Sequence, residues 1–324
     1  MVAYTGIQGQ NILIVSSDPS DPTEGQIWYN TTSNLLKGYQ IATINSWASG
    51  GNLNTARANF SGAGATQNSA VAFGGQTPPS AQTETYNGTS WTSVNSMNTG
   101  RFALFGVGIQ TAALAISGNS GSRTTAVESW NGSSWTTNPA SVNTARTNGG
   151  ASGNGTQTSA IIFGGFDGDN TAASESWNGT SWTNTPSLNT ARRVLGGAGS
   201  SNTSALAFGG FTDVNTGATE SYNGTAWTSS PNSMNTARRA LIGFGTQTAA
   251  LGGGGFSTVY TGATELWNGT SWTNNPSGMA TARTELGGVG FQTSGVAFGG
   301  DNSPQALTEE WTGQGLATRT ITTS

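Results

Sequence analysis

Glu175 to Arg192 reads ESWNGTSWTNTPSLNTAR, and variants of this stretch recur along nearly the whole chain. A full copy carries an acidic residue, an aromatic two places on, Asn-Gly, a tryptophan, and an apolar residue four places before an arginine. The arginines are Arg57, Arg101, Arg146, Arg192, Arg238 and Arg283, so successive gaps are 44, 45, 46, 46 and 45 residues. A period this regular marks a repeat architecture, in which each unit buries its apolar surface against its neighbours. The 324 residues are therefore units of one body and not two unrelated domains.

One unit can be read outward from Arg192. Small residues follow it (VLGGAGSS), then Ser204 to Gly210 (SALAFGG), where Leu206 and Phe208 alternate with Ala205 and Ala207. Alternation at period two is the signature of a strand. A sheet with one bulky face and one alanine face suits stacking, because the bulky face of one unit fills against the small face of the next. Thr219 to Tyr222 supplies a third strand, and Asn223-Gly224 turns the chain into a fourth at Trp227. Asn and Gly tolerate the positive φ that tight hairpins require. Four short strands in about 45 residues make one propeller blade.

The composition agrees. Glycine is 49 of 324 residues, charged residues are only 8%, and Lys37 is the sole lysine. Tight turns consume Gly, Asn, Ser and Thr, whereas helical surfaces rely on Lys, Glu and Leu. A net charge of −4 with eleven basic residues argues against a nucleic-acid partner. The absence of His and Cys removes the commonest metal ligands and the thiol nucleophile, so neither a cofactor nor an enzyme of those classes is expected. Neither a secretory leader nor membrane insertion is expected, since no apolar stretch approaches 18 residues.

The Glu-x-aromatic marker occurs six times, at Glu84, Glu128, Glu175, Glu220, Glu265 and Glu309. The outer tryptophan follows the first five, at Trp91, Trp135, Trp182, Trp227 and Trp272. Trp47 lies ten residues before Arg57, the same offset as Trp91 to Arg101. The strand around Ile41 to Trp47 is thus expected to complete the last blade, with Leu316 to Thr322 as the alternative edge. Closure would remove exposed strand edges.

This pattern of Gly-Gly, aromatic, tryptophan, apolar residue and arginine resembles the kelch repeat over roughly residues 41 to 313. The Gly-Gly pairs are 74-75, 164-165, 209-210, 254-255 and 299-300, with Ser117-Gly118 in the second unit. The resemblance implies an all-β, six-bladed propeller at residues 41–324. It says little of function, since such folds serve as adaptors, adhesion modules and enzyme scaffolds. Residues 1–40 stand outside the repeat. Asp18-Pro19 and Asp21-Pro22 read as a stiff extended linker, and Gln26–Tyr29 with Leu35–Tyr39 as a hairpin. The proline-then-GQIWYNTT segment resembles one found in tail-fibre and other virion structural proteins of bacteriophages. It implies a non-enzymatic particle component docked to other virion proteins through residues 1–46.

The recurring Glu and Arg read as braces, because a catalytic group is needed once and a brace in every blade. The five Asn-Gly sequons, from Asn87 to Asn268, are explained by their hairpins. What varies is the loop between second and third strands, and variable loops on a repeated scaffold are where binding concentrates. These loops carry Arg123, Phe166, Asp167, Asp169, Phe211, Asp213, Phe256, Tyr260 and Asp301. Aromatic faces beside short carboxylates suit stacking on a host-surface glycan, with capping of the blade ends as the competing role. Asp167-Gly-Asp169 lacks the other positions of a calcium loop and reads as a solvated turn. Two alternatives stand beside the virion reading: a carbohydrate-active enzyme using paired loop aspartates, and an intracellular kelch adaptor.

Overall fold

A computed structural model describes residues 12–23, 25–76, 78–301 and 305–321. Among them there is no helix, and the chain divides into a larger unit, Asn45–Thr312, and a smaller one formed by Met1–Ile44 with Gly313–Ser324.

The larger unit is a propeller-like all-β fold built from repeated four-stranded antiparallel sheets. One of them contains Gly196–Ser201, Ser204–Phe208, Thr219–Tyr222 and Trp227–Ser229, each hydrogen-bonded to the next. Ala205, Leu206, Ala207 and Phe208 are all fully buried, so this sheet is covered on both faces. Its bulky side, Leu206 and Phe208, clusters with Ala250, Trp267 and Trp272 of the following sheet. Its alanine side receives Ile161 and Phe163 of the preceding one. The alternation in the sequence thus specifies a stack in which each layer fills its neighbour. The hairpin at its outer edge is held by Asn223, whose Oδ1 accepts the N–H groups of Thr225 and Ala226, with Gly224 at φ 94°.

Innermost strands approach each other through glycine. A Cβ on Gly106 would lie 2.3 Å from the carbonyl oxygen of Gly62, and one on Gly243 would lie 2.6 Å from that of Gly197. Side chains at these positions would force the strands apart. Above them runs a cycle of backbone hydrogen bonds. Ala103 donates to Asn59, Asn148 to Ala103, Val194 to Asn148, Ala240 to Val194, Glu285 to Ala240, and Asn59 back to Glu285. All six residues have φ between 47° and 58°.

The recurring Arg and Glu are buried ion pairs: Arg57–Glu84, Arg101–Glu128, Arg146–Glu175, Arg192–Glu220, Arg238–Glu265 and Arg283–Glu309, at 2.8 to 3.1 Å. Arg101 also donates to the carbonyls of Ser117 and Ala126, and Glu128 accepts the N–H of Asn98. Each pair therefore ties the loop leading into a sheet to the third strand of that sheet. Burial disfavours the charged arginine and draws Arg57 down to about 10, while its partner carboxylate opposes that shift.

Outer tryptophans form a second inter-sheet series. Trp135 donates Nε1–H to Thr83, Trp227 to Ser174, Trp272 to Thr219, Trp91 to Thr308 and Trp47 to Thr264. Trp47 also meets the Trp311 ring at 5.3 Å, and the nearby Gly50 N–H bonds Thr308. In one layer the series fails: Val127 occupies the place of the threonine, and the buried Trp182 Nε1 has no partner.

In the smaller unit Leu13–Val15 pairs in parallel with Ile27–Asn30, which pairs antiparallel with Leu35–Gly38. The strand Leu35–Ser49 continues into the larger unit, so a tally of sheets does not translate directly into a tally of blades. The Asp-Pro segment departs from an extended linker. Asp18 accepts from Lys37 Nζ, Trp28 Nε1 and Asn30 Nδ2, which together hold its carboxyl down at about 2. Trp28 is fully buried. The segment is a crossover pinned by one carboxylate, which the sequence pattern of prolines alone did not reveal.

Two substitutions test these braces. Glu128→Gln leaves Arg101 as an uncompensated buried charge and should cost about 3 kcal/mol in denaturant unfolding. Val127→Thr should stabilise by about 1 kcal/mol by giving Trp182 its acceptor. A lower melting temperature for Val127→Thr would contradict this account of the tryptophan series.

Candidate functional site

The residue after five of the six repeat arginines pairs with the residue that follows the Gly-Gly or Ser-Gly pair beyond the second strand: Phe102 with Asn119, Thr147 with Phe166, Arg193 with Phe211, Arg239 with Phe256, and Thr284 with Asp301. These bridges bring the two loop classes to one end of the sheets. A second bridge closes four of these tips, joining Asn119 to Arg123, Phe166 to Asn170, Phe211 to Asn215 and Phe256 to Tyr260.

Phe166, Phe211 and Phe256 are half-buried, and their neighbours are guanidinium groups. Arg123 and Arg193 lie over Phe166 at 5.3 and 5.1 Å from its centroid. Arg193 and Arg239 lie over Phe211 at 5.1 and 4.9 Å, and Arg239 lies over Phe256 at 4.7 Å. Tyr260 ends the series with its ring edge-on to Phe256 at 5.7 Å. The result is an unbroken arc of alternating cation and ring across four sheets. Such contacts are each worth about 0.5–1 kcal/mol at exposed sites. Two guanidinium groups thus lie over each of Phe166 and Phe211, and one over Phe256.

The arc is fastened by amides. Arg193 Nη1 donates to Asn170 Oδ1 at 3.1 Å and Arg239 Nη1 to Asn215 Oδ1 at 3.0 Å. Asn215 Nδ2 in turn donates to the Phe256 and Ser257 carbonyls. Arg193 and Arg239 were missed by the sequence reading. Their signal was the doubled arginine at 192–193 and 238–239, where the other copies place Ala58, Phe102, Thr147 or Thr284.

The predicted acids fall around this arc without joining. Asp167 and Asp169 are exposed at one tip, where Asp169 Oδ1 accepts the N–H of Asn170 at 2.7 Å. Asp213 is exposed at another with φ 90°. Asp301 sits apart, half-buried and bridged to Thr284. Among the described residues no three acids gather as metal ligands.

Inside the arc, a cavity of about 120 Å³ follows the innermost strands, lined by Gly62, Gly106, Gly197, Gly243 and Gly288 among others. At its far end Asn154 Nδ2 reaches the carbonyls of Gly245 and Gly290, at 3.1 and 2.8 Å. At its near end a second hollow of about 110 Å³ is bordered by Asn59, Asn148 and Glu285. Burial, and next the charge of Asp301, pushes the Glu285 carboxyl up, against a hydrogen bond from Asn59 at 2.7 Å.

No protein-family model matches this chain, and no curated protein matches it.

The Glu285 geometry has a pH signature. Just above the ordinary carboxylate range, folded Glu285 keeps a proton that the unfolded chain releases, so stability should fall as pH rises through that window. Glu285→Gln should flatten this part of the stability profile; an unchanged slope would show that Glu285 does not generate it.

Proposed function

We propose that this chain is a non-enzymatic structural protein of a bacteriophage particle, a tail fibre or a capsid or tail decoration. It attaches to other virion proteins through residues 1–46 and presents a six-bladed, kelch-type propeller whose variable loop face binds the host surface. The six-blade count is supported by the six-membered cycle of backbone hydrogen bonds and the six buried ion pairs. Closure by the Trp47 strand is supported by the Trp47 bond to Thr264 and its contact with Trp311.

The observation that carries the functional reading is the split between scaffold and loop face. Charges repeated in every copy are consumed in burial, whereas the arc is specific to a few loops, with Arg123 exposed and Arg193 and Arg239 half-buried at its surface. Variable, rigidly held loops on a repeated scaffold serve recognition. The GQIWYNTT resemblance supplies the particle context, and the small unit pinned by Asp18 is of a size suited to attachment.

Antibodies raised against the propeller test the assignment. Immunogold electron microscopy should label purified particles at a fixed structural position. Label confined to free protein in the lysate, with particles bare, would overturn it.

A further inference from the structure

The described cations divide into two sets. The six repeat arginines are buried against glutamates, and Lys37 is paired with Asp18 at 2.7 Å. Among the described residues whose side chains are placed, the three that make no ion pair are Arg123, Arg193 and Arg239, and all three lie on the one arc. Carboxylates stand in the same loops, at Asp167, Asp169 and Asp213, yet Arg193 and Arg239 are held by the neutral amides of Asn170 and Asn215. Each of those amides takes only Nη1, leaving Nη2 and Nε of both arginines without an acceptor among the described residues. The rings fix the planes of the guanidinium groups and the amides fix their rotation, so little side-chain freedom remains to be lost on binding. A guanidinium held by one edge presents the other as a fork suited to a carboxylate or sulfate.

We propose that this arc binds an acidic polysaccharide, one whose carboxylate or sulfate groups recur along the chain at the spacing of the blades. Neighbouring cations share one phenylalanine ring, Phe166 or Phe211, so their separation is set by the blade-to-blade step. A single small anion would engage one guanidinium; an extended ligand with spaced charges engages three. A nucleic acid carries about one charge per 1.7 Å of duplex, far denser than three cations can match. The intervening Asp167, Asp169 and Asp213 would repel such a density, yet they suit a sparse polyanion, because carboxylates accept hydrogen bonds from sugar hydroxyls. At the end of the arc Tyr260 is 41% exposed and offers the apolar face that a sugar ring requires.

The inference rests on the loop face being the binding face, as proposed above, and not on the particle assignment. Its test is binding of the purified full chain to immobilised polysaccharides: alginate as a carboxylated chain, heparin as a sulfated one, and dextran as a neutral one. At least one acidic polymer should bind, weaken as ionic strength rises, and lose at least tenfold in affinity with Arg193→Gln/Arg239→Gln at an unchanged melting temperature. Arg193→Lys/Arg239→Lys keeps the charge without the fork and should fall between. Thr180→Ala, in a hairpin outside the loop face, should bind as the parent does. Binding of neither acidic polymer would overturn the proposal, as would acidic binding that survives the double Gln variant. Dextran binding that is lost with Phe256→Ala/Tyr260→Ala would overturn the acidic class alone and leave the loop face as the binding face.

Discussion

Six buried arginine–glutamate pairs are the constraint on which the larger unit depends. Each pair places two charges out of water, a cost that mutual attraction repays only when the remaining hydrogen-bonding groups are satisfied. Here that condition is met only in part: Nη groups such as those of Arg101 and Arg283 reach carbonyls at the end of the second strand and the carboxylates accept backbone N–H groups of the loop, but the buried Nε of all six arginines has no partner among the described residues. The pair is therefore a connector between chain segments more than a source of net stability. It fixes where the chain enters each sheet, hence which glycine meets which neighbour near the axis and which loop emerges beside which.

From that fixed register the loop face follows. The residue after the brace is carried to the residue beyond the second strand's Gly-Gly pair, so a single change at that position, to Arg193 or Arg239, inserts a cation between the aromatic rings of adjacent units. The scaffold needs no alteration to acquire it. Function on such a fold can thus arise by substitution beside the brace, with the brace itself untouched.

Much of this was legible in the sequence. The alternation of Leu206 and Phe208 with alanine gave the doubly covered strand, the Asn-Gly pairs gave the hairpins, and the recurrence of Glu and Arg in register identified them as structural. The arc was only half legible. Phe166, Phe211, Phe256 and Arg123 stood out as departures from the repeat, but Arg193 and Arg239 were hidden beside arginines that had already been explained. Periodicity describes what copies share, and these residues matter through contacts between copies. The same blindness covers Asn154, which bonds across to Gly245 and Gly290, and Val127, whose effect is felt at Trp182 in the next layer. Asp18 escaped because its role depends on three partners ten to nineteen residues away.

The central claim is that the repeats close on themselves, with the Asn59 to Glu285 hydrogen bond equivalent to the other five of its cycle. Residue-resolved hydrogen exchange in the native protein tests it most directly. A closed ring opens only by global unfolding, so the amides of Asn59, Ala103, Asn148, Val194, Ala240 and Glu285 should share one slow exchange free energy. An Asn59 amide that exchanges orders of magnitude faster than those of Ala103 and Val194 would mean that the ring is open between the first and last repeats.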